Sequence, residues 1–283
     1  MAPRRGRDGP SGPGRQVPQE PSATTIAVTE ALRSLAARPP AEAALAEALR
    51  LLAKWRAGLV ANTLAVQSGG TVQSGPFAGM AYPVRAAEGA RAARLLGSYE
   101  AALHPVIHAA IARGYAQVVD VGCAEGYYAV GMALRLPQAR ILAFDKNAEA
   151  RALCRALAEA NGVADRVTVG GRIGHDGLAL CAAAETLVIC DIEGAEEALL
   201  DPAKAPGLVR ADILVEAHDC FRPGLSDRLA ARFAATHHVA RIGRAVEGRA
   251  LPPWMERLSD LDRLLALWEW RVGPTPWLWM KRR

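Results

Sequence analysis

The chain predicts an α/β protein: a mostly parallel sheet with helices on both faces, preceded by a helical extension. Three observations carry this. From Gln117 onward, short aliphatic and β-branched runs alternate with helical stretches, the pattern of strand–helix–strand units. Residues 118–128, Val-Val-Asp-Val-Gly-Cys-Ala-Glu-Gly-Tyr-Tyr, read as a strand, a glycine turn and a helix start, where backbone approaches a ligand closely. Residues 141–145, Ile-Leu-Ala-Phe-Asp, read as a second strand ending in an acid, placed to accept hydrogen bonds from ribose hydroxyls.

Taken in order, residues 1–23 are rich in Pro, Gly and Arg and read as a disordered basic tail. Residues 24–37 have helical character and stop before Pro39-Pro40. Residues 41–56 carry Leu45, Leu49, Leu52 and Trp55 at helical spacing. These two helices offer either a lobe over the ligand site or a homodimer face. The glycine-rich stretch 60–82 contains two short strand-like runs, 60–66 and 79–82. Residues 87–113 read as helix with a break near Gly97. Strands then fall near 117–121, 140–144, 166–169, 185–190 and 211–217, with helices near 126–135, 147–160, 174–183, 194–200 and 223–235. Two more strands, 238–243 and 276–281, enclose a helix over 255–268. The expected division is a tail over 1–23, an extension over 24–95 and an α/β domain over 96–283.

Composition sets bounds. At 283 residues and 51% hydrophobic content, the chain buries one sizeable core with room for an extra lobe. The net charge of +5 is modest and partly confined to the first fifteen residues, so it is no dense phosphate-tracking face. Cys123, Cys154, Cys181, Cys190 and Cys220 are odd in number, form no C-x-x-C pair and suit a reducing, cytoplasmic compartment. No apolar run reaches membrane-spanning length, and the start lacks the apolar segment of a secretory signal.

The glycine turn narrows the ligand. A dinucleotide fingerprint needs glycine where this chain has Tyr127, so a pyrophosphate site is disfavoured. The register acid-x-Gly-x-small-x-Gly fits Asp120, Gly122, Ala124 and Gly126. This resembles motif I of class I S-adenosylmethionine-dependent methyltransferases, with Ala124 in place of the middle glycine. The string Asp191-Ile-Glu-Gly-Ala-Glu196 resembles the Asp-Val-Glu-Gly-Ala-Glu hallmark of FkbM-like methyltransferases. Their motif I often reads Asp-Val-Gly-Ala-Asn-x-Gly-Tyr; here Ala124 replaces the asparagine and removes one polar contact. The resemblance covers about residues 95–244. It implies a Rossmann-like seven-stranded sheet with an antiparallel last strand, S-adenosyl-L-methionine as cofactor, and a hydroxyl acceptor on a small or sugar-like molecule. It also implies that Asp120 orients the methionine amino end, that Gly122, Ala124 and Gly126 admit the cofactor, and that Asp145 holds the ribose.

In an open α/β sheet, ligands bind beyond the carboxyl ends of the strands. Asp120, Asp145, Asp191, Glu193, Glu216, His218 and Asp219 are expected there. A poorly acidic hydroxyl needs a base or a metal. In one design, His218 or Asp191 is the base, with Glu193 beside them. In the other, Asp191, His218 and Asp219 chelate Mg2+, a placement similar to catechol-type methyltransferases. Tyr127 is expected to line the methionine pocket and Arg172 to lie near adenine. Tyr99-Glu100 is a weaker candidate to reach the cofactor or acceptor. Asp191 counts in both the cofactor and the catalytic set. His104 and His108 read as surface histidines, His237-His238 as a strand opening, and Trp268, Trp270, Trp277 and Trp279 as packing. The alternatives are an RNA or protein methyltransferase, a non-catalytic S-adenosylmethionine-binding protein and, most distantly, a nicotinamide oxidoreductase. A nucleic-acid partner is disfavoured because no Asn-Pro-Pro-Tyr-type motif or concentrated basic patch is present.

Overall fold

The computed structural model describes residues 21–87, 89–245 and 251–283. The predicted basic tail falls almost wholly on residues 1–20, outside the described residues. The chain divides after Trp55 into two compact units. In the first, α1 (Ala23–Ala36) starts where Ser22 accepts from Thr25 N, satisfying an orphan donor of the first turn. Trp55 Nε1 donates to Thr25 Oγ1 at 3.3 Å.

Helix α2 (Glu42–Gln67) is longer than its apolar stripe predicts. It absorbs 60–66, which had read as a strand. Val60, Ala61 and Leu64 are buried at helical spacing, and after Gly58 no glycine or proline interrupts the turns as far as Gln67. The second expected strand, near 79–82, is reduced to one bridge between Thr71 and Ala81. The stretch 87–113 becomes two helices, α3 (Arg91–Leu96) and α4 (His104–Arg113). Gly97 ends α3 at φ +73°, and a Cβ there would lie 1.9 Å from Ser74 O. Only glycine fits that crossing.

The second unit is built on a seven-stranded sheet: β1 (Gln117–Val121), β2 (Arg140–Phe144), β3 (Val167–Gly170), β4 (Thr186–Cys190), β5 (Ala211–Glu216), β6 (His237–Ile242) and β7 (Trp277–Arg282). Its order is β3-β2-β1-β4-β5-β7-β6, with β7 antiparallel to both neighbours. This is the Rossmann-like arrangement that the resemblance implied. Connecting helices are α5 (Tyr127–Arg135), α6 (Ala148–Ala160), α7 (Glu196–Leu199) and α8 (Leu225–Phe233). The stretch 174–183 winds as 3-10 turns rather than an α-helix. The expected 255–268 helix is split into a 3-10 turn, Pro253–Arg257, and α9 (Asp260–Ala266). Ser259 divides them, because its hydroxyl caps a new helix by accepting from Asp262 N.

The strands bury both faces. Val118, Ile141, Leu187 and Leu214 enter one core; Val119, Leu142, Val188 and Ile213 enter the other. The period of two puts neighbouring residues on opposite faces. Asp120 is paired in register with Ala143 and Ile189, at the carboxyl end of β1. Chain order reverses between β1 and β4, so a crevice opens there. Among the described residues, no helix is long and apolar enough to cross a membrane.

Candidate functional site

Two cavities open at that switch point. The larger, about 440 Å³, runs past Gly122, Asp145, Asn147, Gly171–Gly174 and the start of the 191–199 segment. The smaller is a hollow of about 20 Å³, walled by Arg94, Tyr99, Asp120, Tyr127, Tyr128 and Trp277 among others. Gly122 and Asp191 border both.

Gly122 makes this junction. It sits at φ +85°, and a Cβ would fall 1.6 Å from Asp191 O. The turn after β1 therefore presses directly on the end of β4. Ala124 follows in the left-handed region at φ +47°, and its N–H donates to Asp145 Oδ2 at 3.0 Å. Asp145 Oδ1 accepts from Asn147 N at 2.7 Å, which fixes the carboxylate along the cavity wall. Arg172 lines the same cavity from its exposed rim. Gly126 borders neither cavity; it packs against Cys154 of α6, where a Cβ would meet Sγ at 2.7 Å.

Asp120 is 3% exposed, and its Oδ2 has no hydrogen-bond partner among the described residues. Burial, then the Asp191 charge, pushes its carboxyl up to about 8. Both Tyr127 and Tyr128 wall the hollow, where one had been expected only to pack.

His218 follows β5 and is 4% exposed. Its Nδ1 lies 2.9 Å from Glu196 Oε1. That oxygen also accepts from Ile192 N at 3.2 Å and Gly194 N at 3.0 Å, tying the turn after β4 to the histidine. Glu193 occupies the left-handed region of this turn at φ +57°. His218 Nε2 faces Glu193 Oε2 at 3.3 Å, Asp191 Oδ1 at 3.6 Å and Glu216 Oε2 at 3.7 Å. Phe221 stacks on the ring, with centroids 5.6 Å apart and planes 5° from parallel. Burial pulls the imidazole pKa down, but the Glu196 hydrogen bond and the charges of Asp191, Glu196 and Glu193 outweigh it and raise it. Burial pushes the Glu196 carboxyl up, but the bonds from His218 and Gly194 N leave it below the ordinary range.

The expected metal set is not what the fold assembles. Asp219 accepts from Ser226 N at 2.9 Å and from Ser226 Oγ, so its carboxylate caps α8. Its place is taken by Glu196: one atom each from Asp191, Glu196 and His218 lie within 4.8 Å of one another.

Other sequence candidates resolve plainly. Glu100 is buried, bonded to Tyr128 Oη and ion-paired with Arg271. Arg271 also pairs with Glu216, which joins that cluster to the surroundings of His218. His104 is buried against Tyr99 O rather than at the surface, whereas His108 is exposed. His237 bridges Thr236 and Ala211 O at the opening of β6. Sequence reasoning missed Glu196 as a partner of His218, and missed Arg94 and Trp277 as walls of the hollow.

No protein-family model matches this sequence, and no curated sequence is significantly similar to it. Among solved structures, it is similar to an O-methyltransferase from Bacillus cereus in complex with SAH, at 11% identity and TM-score 0.44 over 91% of this chain and 97% of that one. It is also similar to the O-methyltransferase TomG from Streptomyces achromogenes in complex with SAM, at 14% identity and TM-score 0.45 over 68% and 87%. A third is precorrin-6y C5,15-methyltransferase from Geobacter metallireducens, at 11% identity and TM-score 0.40 over 64% and 89%. Likeness of this degree decides no chemistry.

Proposed function

We propose that this protein is an S-adenosylmethionine-dependent methyltransferase that methylates a hydroxyl group of a small, sugar-like or secondary-metabolite acceptor. One juxtaposition carries the reading. Asp191 borders both cavities of the switch point and lies 3.6 Å from His218 Nε2. A candidate base thus stands where a nucleoside site meets its inner hollow.

The residues fit the cofactor. Gly122 borders both cavities in a tight turn that only glycine makes. Asp120 Oδ2, without a hydrogen-bond partner among the described residues, suits a cationic head. Asp145, held by two backbone N–H groups, presents remaining lone pairs for ribose hydroxyls. Arg172, Gly171 and Gly174 supply a wall for the base. When bound, the cofactor supplies an activated methyl group, so the protein has to align the acceptor and remove its proton.

Glu196 accepts the Nδ1–H of His218, which leaves Nε2 of the neutral ring as the proton acceptor. The proton of the acceptor hydroxyl passes to Nε2 as the oxygen takes the methyl group. Asp191 and Glu193, at 3.6 and 3.3 Å from Nε2, stabilise the imidazolium that forms. The string from Asp191 to Glu196 supports an FkbM-like subgroup, and its last acid acquires a role here: it orients the base.

A divalent ion is the second reading, favoured by the Asp191, Glu196 and His218 cluster. In that reading the three side chains hold the ion beside the acceptor oxygen. Glu196 Oε2, which has no hydrogen-bond partner among the described residues, is the atom that would take the ion while Oε1 keeps His218 Nδ1; the base design uses the geometry as it stands and is preferred.

The test is calorimetric titration with S-adenosylmethionine, S-adenosylhomocysteine and NAD, with and without magnesium. The expected result is binding of the first two alone, independent of magnesium. Binding of NAD alone, or of nothing, overturns the proposal; magnesium-dependent turnover with hydroxyl acceptors moves the weight to the metal reading.

A further inference from the structure

The larger cavity is lined by Lys146, Asn147 and Ala150, from the turn after β2 and the start of α6, and by Ala87, from the segment before α3. The path that delivers Ala87 uses groups that the methyl transfer does not employ. Its root is fixed. Asn161, the residue that ends α6, accepts from Ala81 N at 2.9 Å and donates to Ala81 O at 2.8 Å. Tyr82 and Val84 are buried in the core. From there the chain surfaces, with Arg85 exposed and Ala86 and Ala87 partly so.

Two ties hold this strap. The inner one is Glu125, in the turn after β1 and wholly buried. Its Oε1 accepts from Tyr82 Oη at 2.7 Å and pairs with Arg94 at 3.0 Å, and its Oε2 accepts from Ala87 N at 2.9 Å. The outer tie is the ion pair of Arg85 with Glu149. Glu149 stands in the first turn of α6, between the cavity-lining Asn147 and Ala150. Asn147 connects it to Asp145: its Oδ1 accepts from Glu149 N at 2.9 Å, and its own N donates to Asp145 Oδ1 at 2.7 Å. The side chains of the outer pair are 58% and 67% exposed. A pair so exposed adds little to the stability of the fold, yet it joins two walls of the cavity at their outer lip. Lifting Arg85 to Ala87 breaks this pair and one backbone hydrogen bond, and leaves Tyr82, Arg94 and Asn161 in place.

We infer that residues 85–87 form a flap at the nucleoside cavity, latched by the Arg85–Glu149 pair, and that release of this latch sets how fast the nucleoside product leaves. This rests on the reading of the larger cavity as the nucleoside site. It goes further in assigning Arg85 and Glu149, which touch no reacting atom, to the step that follows methyl transfer, where opening of a loop commonly limits turnover. Glu125 is the positioning residue of the device: it seats the flap on the turn that Gly122 opens, so both sides of the cavity move about one fixed carboxylate.

The test measures dissociation of S-adenosylhomocysteine from the full chain by surface plasmon resonance. Arg85→Glu sets like charges across the latch and is expected to speed dissociation by about two- to five-fold. The charge swap, Arg85→Glu with Glu149→Arg, is expected to restore the wild-type rate. Salt at about 1 M, which cuts the screening length to about 3 Å, is expected to speed dissociation from the wild-type protein and to leave Arg85→Ala unchanged. The melting temperature of the single variants is expected to hold, because an exposed pair carries little of the fold's stability; a merely structural role would lower it and would not be repaired by the swap. An unchanged rate in Arg85→Glu, or a swap that fails to restore it, overturns the latch and leaves the cofactor reading standing. Failure of the wild-type protein to bind S-adenosylhomocysteine overturns both.

Discussion

The hollow beside Asp120 and the cluster around His218 are both buried, both charged and both in contact with Asp191, yet they are built on opposite plans. In the hollow, polar atoms are left without partners among the described residues and aromatic rings form the walls. Around His218, each ring nitrogen has an acid within 3.3 Å and a phenyl ring lies flat on the imidazole. Unpaired groups raise the energy of the empty protein and are relieved by a ligand. Partners on both ring nitrogens fix the histidine in one orientation and protonation pattern. The difference separates a place that receives from a place that acts.

The sharpest way to break this contrast is His218→Ala. It is expected to lower turnover by about 10²–10⁴-fold while leaving S-adenosylmethionine affinity nearly intact; equal turnover in a methyl-transfer assay would remove His218 from the chemistry. Glu196→Gln is expected to cost about 1.5–3 kcal/mol in the transition state, the worth of a hydrogen bond to a charged group. It also carries a pH signature. Glu196 helps raise the His218 pKa, so the acid limb of the kcat profile lies above the ordinary histidine value and moves to lower pH in the variant. An unmoved limb would show that Glu196 does not tune the base.

On the receiving side, Asp145→Ala is expected to weaken cofactor binding by about 1.5–3 kcal/mol in titration calorimetry without a separate loss in kcat. The smallest effect concerns stability. The Asp120 carboxyl is raised from 3.8 to about 8 in the fold. The folded state therefore binds the extra proton, and this contribution is present below pH 4 and lost as pH rises through 8. Asp120→Asn is expected to raise the melting temperature of the free protein at pH 8 by about 2–4 °C, the shift that about 1 kcal/mol produces at this chain length. The same variant is expected to weaken cofactor binding. A lower melting temperature at pH 8 would show that Asp120 is paired in the empty site.

How much was legible follows from how local each signal is. The ends of β1 and β2, with Asp120, Gly122 and Asp145, are encoded within a few residues by period-two burial and a turn that only glycine makes. Val60 and Val66 misled because β-branched residues favour strands, although burial of Val60, Ala61 and Leu64 on one face carries the helix through them. Glu196 stood in plain view within its motif, but its role depends on His218 from the next strand, and no spacing encodes that pairing. Arg94 reads in sequence as one more surface arginine. Only the fold shows that Glu125, Gly89 and Tyr99 hold it inside. Asp219 was expected beside His218 because they are neighbours in the chain; the turn into α8 sends its side chain to Ser226 instead.

The turn at Gly122 has a consequence for anyone who would reshape this protein by random mutagenesis. Backbone from β4 fills the space a side chain would need, so a selection for folded clones should return one amino acid at 122 and a varied set at the cavity rim, Lys146 and Arg172 included. Two positions later the pattern inverts. Ala124 holds a left-handed backbone that glycine adopts with less strain, so glycine there should be enriched rather than purged. The two sites share one loop, yet a sequence library would record the first as a closed door and the second as an invitation.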